Sequence, residues 1–383
     1  MNILYKVCSL IFISLFLSVY AAQPAKPSVA ASSYLLIDYE TGQVLLEENS
    51  QKQLAPASLT KMMTSYIIAS ELAKGNINKD DNVLISENAW AQNPKLKGGS
   101  LMFIEVNKYV SVGDLHKGII IQSGNDASIA MAEHIAGSED AFADLMNQHA
   151  QRLGMNDSYF INSTGLPAQG QVTTAHDLAK LAHALIKDFP EEYGLYSEKE
   201  FTFNNIVQKN RNELLNDKGL GVDGIKTGHT EEAGYCLVSS AEKDGMRLIA
   251  VVMGTDSKAA RASESRKLLN HGFRFYTTIK AFSAAQSLKN VQIWKGEKEA
   301  FSVGLAQDAM ITVLKREKDQ LEANYIVNKQ IIAPVRKGQI VGEVYFKVGD
   351  KEIKRMPMIA LENVAEAGFF GRLWDSVKLW FED

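Results

Sequence analysis

Ser58 and Lys61 stand three residues apart in "PASLTKMM", where the chain turns apolar and helical. At i and i+3 the two side chains share one face of a helix. A hydroxyl beside an amine is a nucleophile beside a base, provided the amine is neutral. Bringing a lysine from about 10.4 down towards 7 costs on the order of 4 kcal/mol, and burial or a second cation would do it. The ordinary alternative is a helix N-terminus with Lys61 reaching water. Two further triplets bear on that choice. "SGN" at Ser123–Asn125 interrupts a helical stretch with three poor helix formers, which predicts a tight turn presenting two polar side chains. "KTG" at Lys226–Gly228 opens an expected strand, and Gly228 removes a side chain where something must approach the backbone closely.

The elements that must position these residues follow from periodicity. "SYLLIDYETGQVLLEENS" reads as two strands around a turn. A helix apolar on nearly every face runs from Ala57 to a C-cap at Gly75, so it belongs in a core, where lysine is rare. From Lys79 to Asp188 the pattern is mostly helical, with Thr173 and Thr174 as cap candidates for the last helix. Strands return at "DGIKTGHT", "GYCLVSSAEK" and "MRLIAVVMGT", the last two joined by the hairpin signal Asp244–Gly245. A helix, "ARASESRKLLNHGFRFYTT", closes the domain. Strands at both ends of a helical block predict an α+β domain with an antiparallel sheet, over residues 30–282. Short strands at "VQIWKG", "AFSVGLA", "DAMITVLK", "NYIVN", "QIIAPV" and "QIVGEVYFKV" then predict a small all-β domain over 283–363.

The chain has 383 residues and a net charge of −4, from 41 basic and 45 acidic side chains. That balance gives no electrostatic case for nucleic acid. Residues 1–22 read as a secretory signal peptide, with one lysine, an apolar run from Val7 to Tyr20 and cleavage after Ala21 or Ala22. The apolar run is short for an uncleaved span. Cys8 would leave with it, so Cys236 remains alone and no internal disulfide can form. The seven histidines show no metal-ligand spacing, so neither a metal nor another cofactor is expected.

S-x-x-K, S-x-N and K-T-G, in that order, are the shared signature of penicillin-binding proteins and class A β-lactamases. With "NRNELL", "VDGIKTGHT" and "LLNHGFRFY", the chain from about Ser33 onwards resembles the low-molecular-mass, class C penicillin-binding proteins. These are serine-type D-alanyl-D-alanine carboxypeptidases of the peptidase S11 family. The resemblance implies a β-lactamase-like transpeptidase fold and removal of the terminal D-alanine from peptidoglycan stem peptides. Ser58 resembles the acylated nucleophile, Lys61 its base and Ser123 the hydroxyl that passes a proton to the leaving amine. Asn125 resembles a ligand of the substrate amide, and Lys226 and Thr227 the groups that hold the terminal carboxylate. Gly228 completes that triplet. The backbone N–H groups of Ser58 and His229 would form the oxyanion hole, with Arg211 and Arg261 as further carboxylate contacts. β-Lactam antibiotics would acylate the same serine. One departure is Asn216, where many relatives carry tryptophan.

Other readings stay open at this point. A class A β-lactamase would need a glutamate after S-x-N, and between Phe160 and Lys187 the one acid is Asp177, in an expected helix. A non-catalytic wall-binding protein would be expected to have lost one of Ser58, Lys61, Ser123 or Lys226. A D,D-endopeptidase cutting cross-links uses the same bond chemistry. Finally, residues 366–383 form an amphipathic helix, with Phe369, Phe370, Leu373, Trp374, Val377, Trp380 and Phe381 on one face and Leu379 the apolar exception. It is too short and charged to span a bilayer. The expectation is a peripheral anchor on the periplasmic face of the inner membrane, against the alternative of a helix docked on the β domain.

Overall fold

The computed structural model describes residues 24–382, so the signal peptide expected over 1–22 lies outside the described residues. Strands β1 (Ser33–Asp38) and β2 (Val44–Glu48) pair around the expected turn. A 3₁₀ turn (Ala57–Thr60) leads into helix α1 (Lys61–Lys74), which ends at Gly75 in the left-handed conformation, φ 73°. Ten consecutive residues of α1, Lys61 to Ser70, are buried, so this helix has no solvent face over most of its length.

The stretch after Lys79 departs from expectation. It holds two short strands, β3 (Asn82–Leu84) and β4 (Tyr109–Ser111), around an irregular loop rather than a helix. Pro94, Gly98 and Gly99 break the periodicity, and the buried apolar residues there pin loop backbone. Helices proper begin at α2 (Val112–Lys117), which runs into a π-turn (Gly118–Gln122). Helices α3 (Asn125–Ala136), α4 (Glu139–Arg152), α5 (Ala175–Asp188) and α6 (Pro190–Tyr193) follow. Ser138 and Thr174 cap α4 and α5 through their side chains.

A hairpin not foreseen, β5 (Glu200–Phe203) and β6 (Ile206–Lys209), precedes the three long strands β7 (Val222–Thr230), β8 (Gly234–Lys243) and β9 (Met246–Thr255). Asp244 and Gly245 both take positive φ in the two-residue turn between β8 and β9. The antiparallel sheet runs β2-β1-β9-β8-β7, so both ends of the domain supply strands, but the first and last of these in the chain, β1 and β9, pair inside the sheet and the edges are β2 and β7. Helix α7 (Lys258–Phe275) covers one face with Leu268 and Leu269, and the helical block covers the other. Lys226–Gly228 sits in the middle of β7 instead of opening it, at the edge of the sheet nearest α1.

The boundary expected at 282/283 falls at the end of β10 (Tyr276–Phe282). That strand pairs with β13 (Ala309–Leu314), beyond the boundary. Strands β11 (Lys289–Gln292), β12 (Ala300–Gly304), β14 (Leu321–Val327), β15 (Ile340–Val348) and β16 (Lys351–Ala360) form a second sheet, in the order β11-β12-β16-β15-β14. The two sheets enclose Ile311, Val344 and Phe346. "QIIAPV" is not a strand; it makes only isolated bridges, such as Val335 to Val364. The strand that completes the sheet is instead β16, where Met356, Met358 and Ala360 alternate inward among charges. Helix α8 (Phe369–Glu382) ends the described chain. Leu379 is buried and Asp375 accepts a hydrogen bond from the Lys295 backbone, 2.7 Å, while Phe370 and Trp380 on its other side are 83% and 77% exposed.

Candidate active site

The 3₁₀ turn carrying Ser58 is squeezed between two glycines. A Cβ on Gly228 would lie 3.1 Å from both Pro56 O and Leu59 Cγ, which identifies the close approach anticipated for that residue. Gly165, at φ +80°, is tighter still: a Cβ there would stand 1.8 Å from Ala57 O. Ala57 itself holds a φ of 47°, unusual for a residue with a side chain. The nucleophile candidate therefore rides on a backbone fixed from both sides.

Lys61 is 1% exposed. Its Nζ donates to Ser58 Oγ (3.2 Å), Asn125 Oδ1 (2.7 Å) and the Thr164 carbonyl (2.5 Å). Burial brings its pKa down to about 7; Asp126 and Glu139 oppose the fall and Arg211 adds to it. Near neutrality about half of such groups are neutral, so Lys61 can take a proton from the serine it touches. The cation expected to depress Lys61 was Lys226. The repulsion between them falls on Lys226 instead, which is pushed well below its ordinary value by burial first, then by Lys61, Arg211 and Arg261. Its Nζ donates only a long bond to the Thr227 carbonyl, 3.3 Å, so a buried amine stands there with capacity to spare.

Ser123 adopts φ 67° between the π-turn and α3, and its buried Oγ has no hydrogen-bond partner. Asn125, the first residue of α3, is held by Lys61. Arg211 Nε donates to Gln122 O (3.0 Å) and Arg261 Nη1 to Gly228 O (3.4 Å). His229 is exposed and stacks on Tyr235, ring centroids 3.9 Å apart. Ser58, Ser123, Asn125, Arg211, Thr227, Gly228, His229 and Arg261 all line one cleft of about 220 Å³, with Lys61 and Lys226 buried behind it. All ten residues singled out in the sequence thus converge.

Others were missed. Thr164 supplies a backbone carbonyl to Lys61, and no side-chain pattern announces a carbonyl. Lys258, at the start of α7, adds a third basic side chain to the cleft lining, beside Arg211 and Arg261. Asp126, next to the S-G-N triplet, accepts backbone N–H bonds from Met102, Phe103, Ile104 and Ala127 and so fixes the loop that walls the cleft. Among the described residues lining the cleft none is Asp or Glu. Asp177, the acid weighed for a β-lactamase, is buried near the start of α5, accepting from the Asp157 backbone and the Ser158 hydroxyl.

The family model of D-alanyl-D-alanine carboxypeptidases, peptidase S11, matches residues 20–257, and that of the penicillin-binding protein 5 C-terminal domain matches 276–366. D-alanyl-D-alanine carboxypeptidase DacC of Escherichia coli (strain K12) is 46% identical over 357 residues, 93% of this chain and 89% of that one. The crystal structure of penicillin-binding protein 5 from Haemophilus influenzae superposes with a TM-score of 0.87 at 41% identity, covering 90% of this chain and 100% of that one. Penicillin-binding protein D2 from Listeria monocytogenes, solved in its cefotaxime-bound form, gives a TM-score of 0.60 at 29% identity, covering 66% of this chain and 100% of its own. The chain belongs to the D-alanyl-D-alanine carboxypeptidase family, with a C-terminal domain of the penicillin-binding protein 5 kind.

Proposed function

We propose that this chain releases the terminal D-alanine of peptidoglycan stem peptides through an acyl-enzyme on Ser58. The observation that carries the reading is Lys61, buried, near pKa 7 and 3.2 Å from Ser58 Oγ. Neutral Lys61 takes the Ser58 proton as Oγ attacks the carbonyl of the D-Ala-D-Ala bond. The backbone N–H groups of Ser58 and His229 hold the resulting oxyanion. The proton passes from Lys61 through Ser123 Oγ to the leaving nitrogen, the C–N bond breaks, and D-alanine departs. Water then attacks the ester, and its proton returns through Lys61 to Ser58. Lys226, Thr227, Arg211 and Arg261 take the terminal carboxylate, and Asn125 the substrate amide.

A β-lactam carries an amide carbonyl and a carboxylate at comparable spacing, so it acylates Ser58 in the same way. Unlike D-alanine, the amine freed from the lactam stays tethered to the acyl group and keeps water from the ester, so the penicilloyl adduct should persist. The test is intact-mass measurement after incubation with benzylpenicillin, alongside D-alanine release from a peptide ending in D-Ala-D-Ala. One penicilloyl mass on the Ser58 peptide is expected, lost in Ser58→Ala. An adduct that survives the substitution refutes the assignment.

We further propose an exported protein held peripherally on the periplasmic face of the inner membrane by α8. The support is the outward aromatic face of α8, combined with a seat on the β domain made by its opposite side.

A further inference from the structure

Beneath the cleft lies a buried chain of polar groups that the reaction above does not use. Ser65 is 1% exposed, and its Oγ is 2.7 Å from His116 Nε2. His116 is also 1% exposed, and its Nδ1 is 3.4 Å from Glu192 Oε2 on α6. Lys79 closes the outer end, 2.6 Å from Glu192 Oε1. His116, ahead of Lys79, holds the Glu192 carboxyl down to about 2 in spite of its burial. With the proton on Nδ1, the ring presents Nε2 as an acceptor to the Ser65 hydroxyl. Tyr196 is also buried, its hydroxyl without a hydrogen bond, and its ring stacks on Tyr193 at 5.5 Å. Tyr193 in turn donates to Asp223 on β7, 2.8 Å, three residues before Lys226. Serine, histidine and glutamate are the residue types of a hydrolytic triad, yet this serine has no access to solvent. A structural task remains.

The geometry assigns that task. Ser123 has no hydrogen bond at its own hydroxyl and sits at a positive φ, so the backbone it rides on sets its place. Two polar ties to α1 bracket it. After it comes Lys61 to Asn125; before it, seven residues upstream, comes Ser65 to His116. Ser65 follows Lys61 by four residues, so both ties lie on one face of α1. The Lys61 tie changes whenever Lys61 gains or loses a proton. The Ser65 tie does not involve Lys61. We propose that His116 is a positioning residue, which through Ser65 and Glu192 fixes the segment carrying Ser123 against the helix carrying Ser58 and Lys61.

The inference rests on the acyl-enzyme reading, and the experiment separates the two. In the full chain, kcat and KM for D-alanine release are measured with the acylation rate by benzylpenicillin, and folding is checked by circular dichroism. Ser65→Ala and His116→Leu should each lower kcat about tenfold or more, ~1.4 kcal/mol of barrier. KM should stay within about twofold, because the carboxylate contacts lie on β7, α7 and Arg211. His116→Gln, which keeps a hydrogen-bonding side chain, should recover most of the loss. A folded Ser65→Ala protein with the parent's kcat overturns the inference, as does His116→Gln being no better than His116→Leu. Should His116→Leu fail to fold, Ser65→Ala decides alone. A parent that neither releases D-alanine nor takes up penicillin brings down the functional reading and this inference together.

Discussion

At the cleft, Lys61 and Lys226 are 1% and 2% exposed, whereas on α8 Phe370 and Trp380 are 83% and 77% exposed. One region buries charge and the other exposes rings, each against the ordinary partition of side chains. The costs are met differently. Lys61 is kept buried by three acceptors and by shedding its proton near neutrality. The rings of α8 meet mostly one another: Phe369 meets Phe370 and Trp380 meets Phe381 edge-on, and Lys378 lies over Trp374. The cleft keeps unused hydrogen-bonding capacity at Ser123 and Lys226, and the helix keeps unused apolar surface. A substitution in the cleft should therefore act on rate, and one on α8 on location.

The largest effect should come from Lys61→Arg, which keeps the charge and removes the ability to deprotonate in this range. Acylation by benzylpenicillin should fall at least about 100-fold, ~2.7 kcal/mol. A rate above about a tenth of the parent's would point to another base. The matching operation at the other region is deletion of residues 368–383, read by sedimentation with lipid vesicles. Each ring withdrawn from the interface forfeits about 1.5–3 kcal/mol, so binding should be lost while D-alanine release in solution is unchanged. A truncated protein that still pellets overturns the anchor, and one that unfolds turns α8 into a structural element of the β domain.

The two regions also differ in how legible they were. The cleft announced itself through polar motifs placed where helix or strand periodicity disfavours them, and the seven residues drawn from them meet in space with the three implied by the family resemblance, His229, Arg211 and Arg261. What stayed hidden was backbone: the Thr164 carbonyl on Lys61, and Gly165 making room for the Ser58 turn. Neither leaves a side-chain pattern, because both exist only once distant segments pack. On α8 the apolar arc was plain from a period of 3.6, but Leu379 looked like a flaw in it. Leu379 and Asp375 are instead the seat on the β domain. In that domain "QIIAPV" looked like a strand from its apolar run, and β16 was obscured by its charges and Pro357. Alternation, rather than mean hydropathy, was the better signal there.

A pH series sharpens the comparison next. Neutral Lys61 is the reactive form, so the acylation rate should rise with pH as the group passes its pKa of about 7. Between pH 6 and pH 8 the neutral fraction grows about tenfold, and the rate should follow, measured with benzylpenicillin under single-turnover conditions. Vesicle binding should be flat over the same interval, since α8 contains no histidine. A flat acylation profile would mean that Lys61 is not the base.

The smallest effect is expected from salt, and its asymmetry is the point. The cleft presents Arg211, Arg261 and Lys258 with no carboxylate among its described lining, so it draws a substrate carboxylate partly at long range. Raising ionic strength from 0.1 M to 1 M shortens the screening length from about 10 Å to about 3 Å and should raise KM about two- to threefold. On α8 the bases are already spoken for: Arg372 pairs with Glu366, and Lys378 lies 3.8 Å from Asp375 and over the Trp374 ring. With a net charge of −1 over residues 368–383 and both cations engaged inside the chain, α8 has little to offer an anionic headgroup. Its hold on a bilayer then rests on ring burial, which salt does not weaken. Vesicle binding at 1 M salt should stay within about twofold of its value at 0.1 M, on vesicles with or without anionic lipid. Release of the protein by salt would show that charge, not the aromatic face, holds it to the membrane.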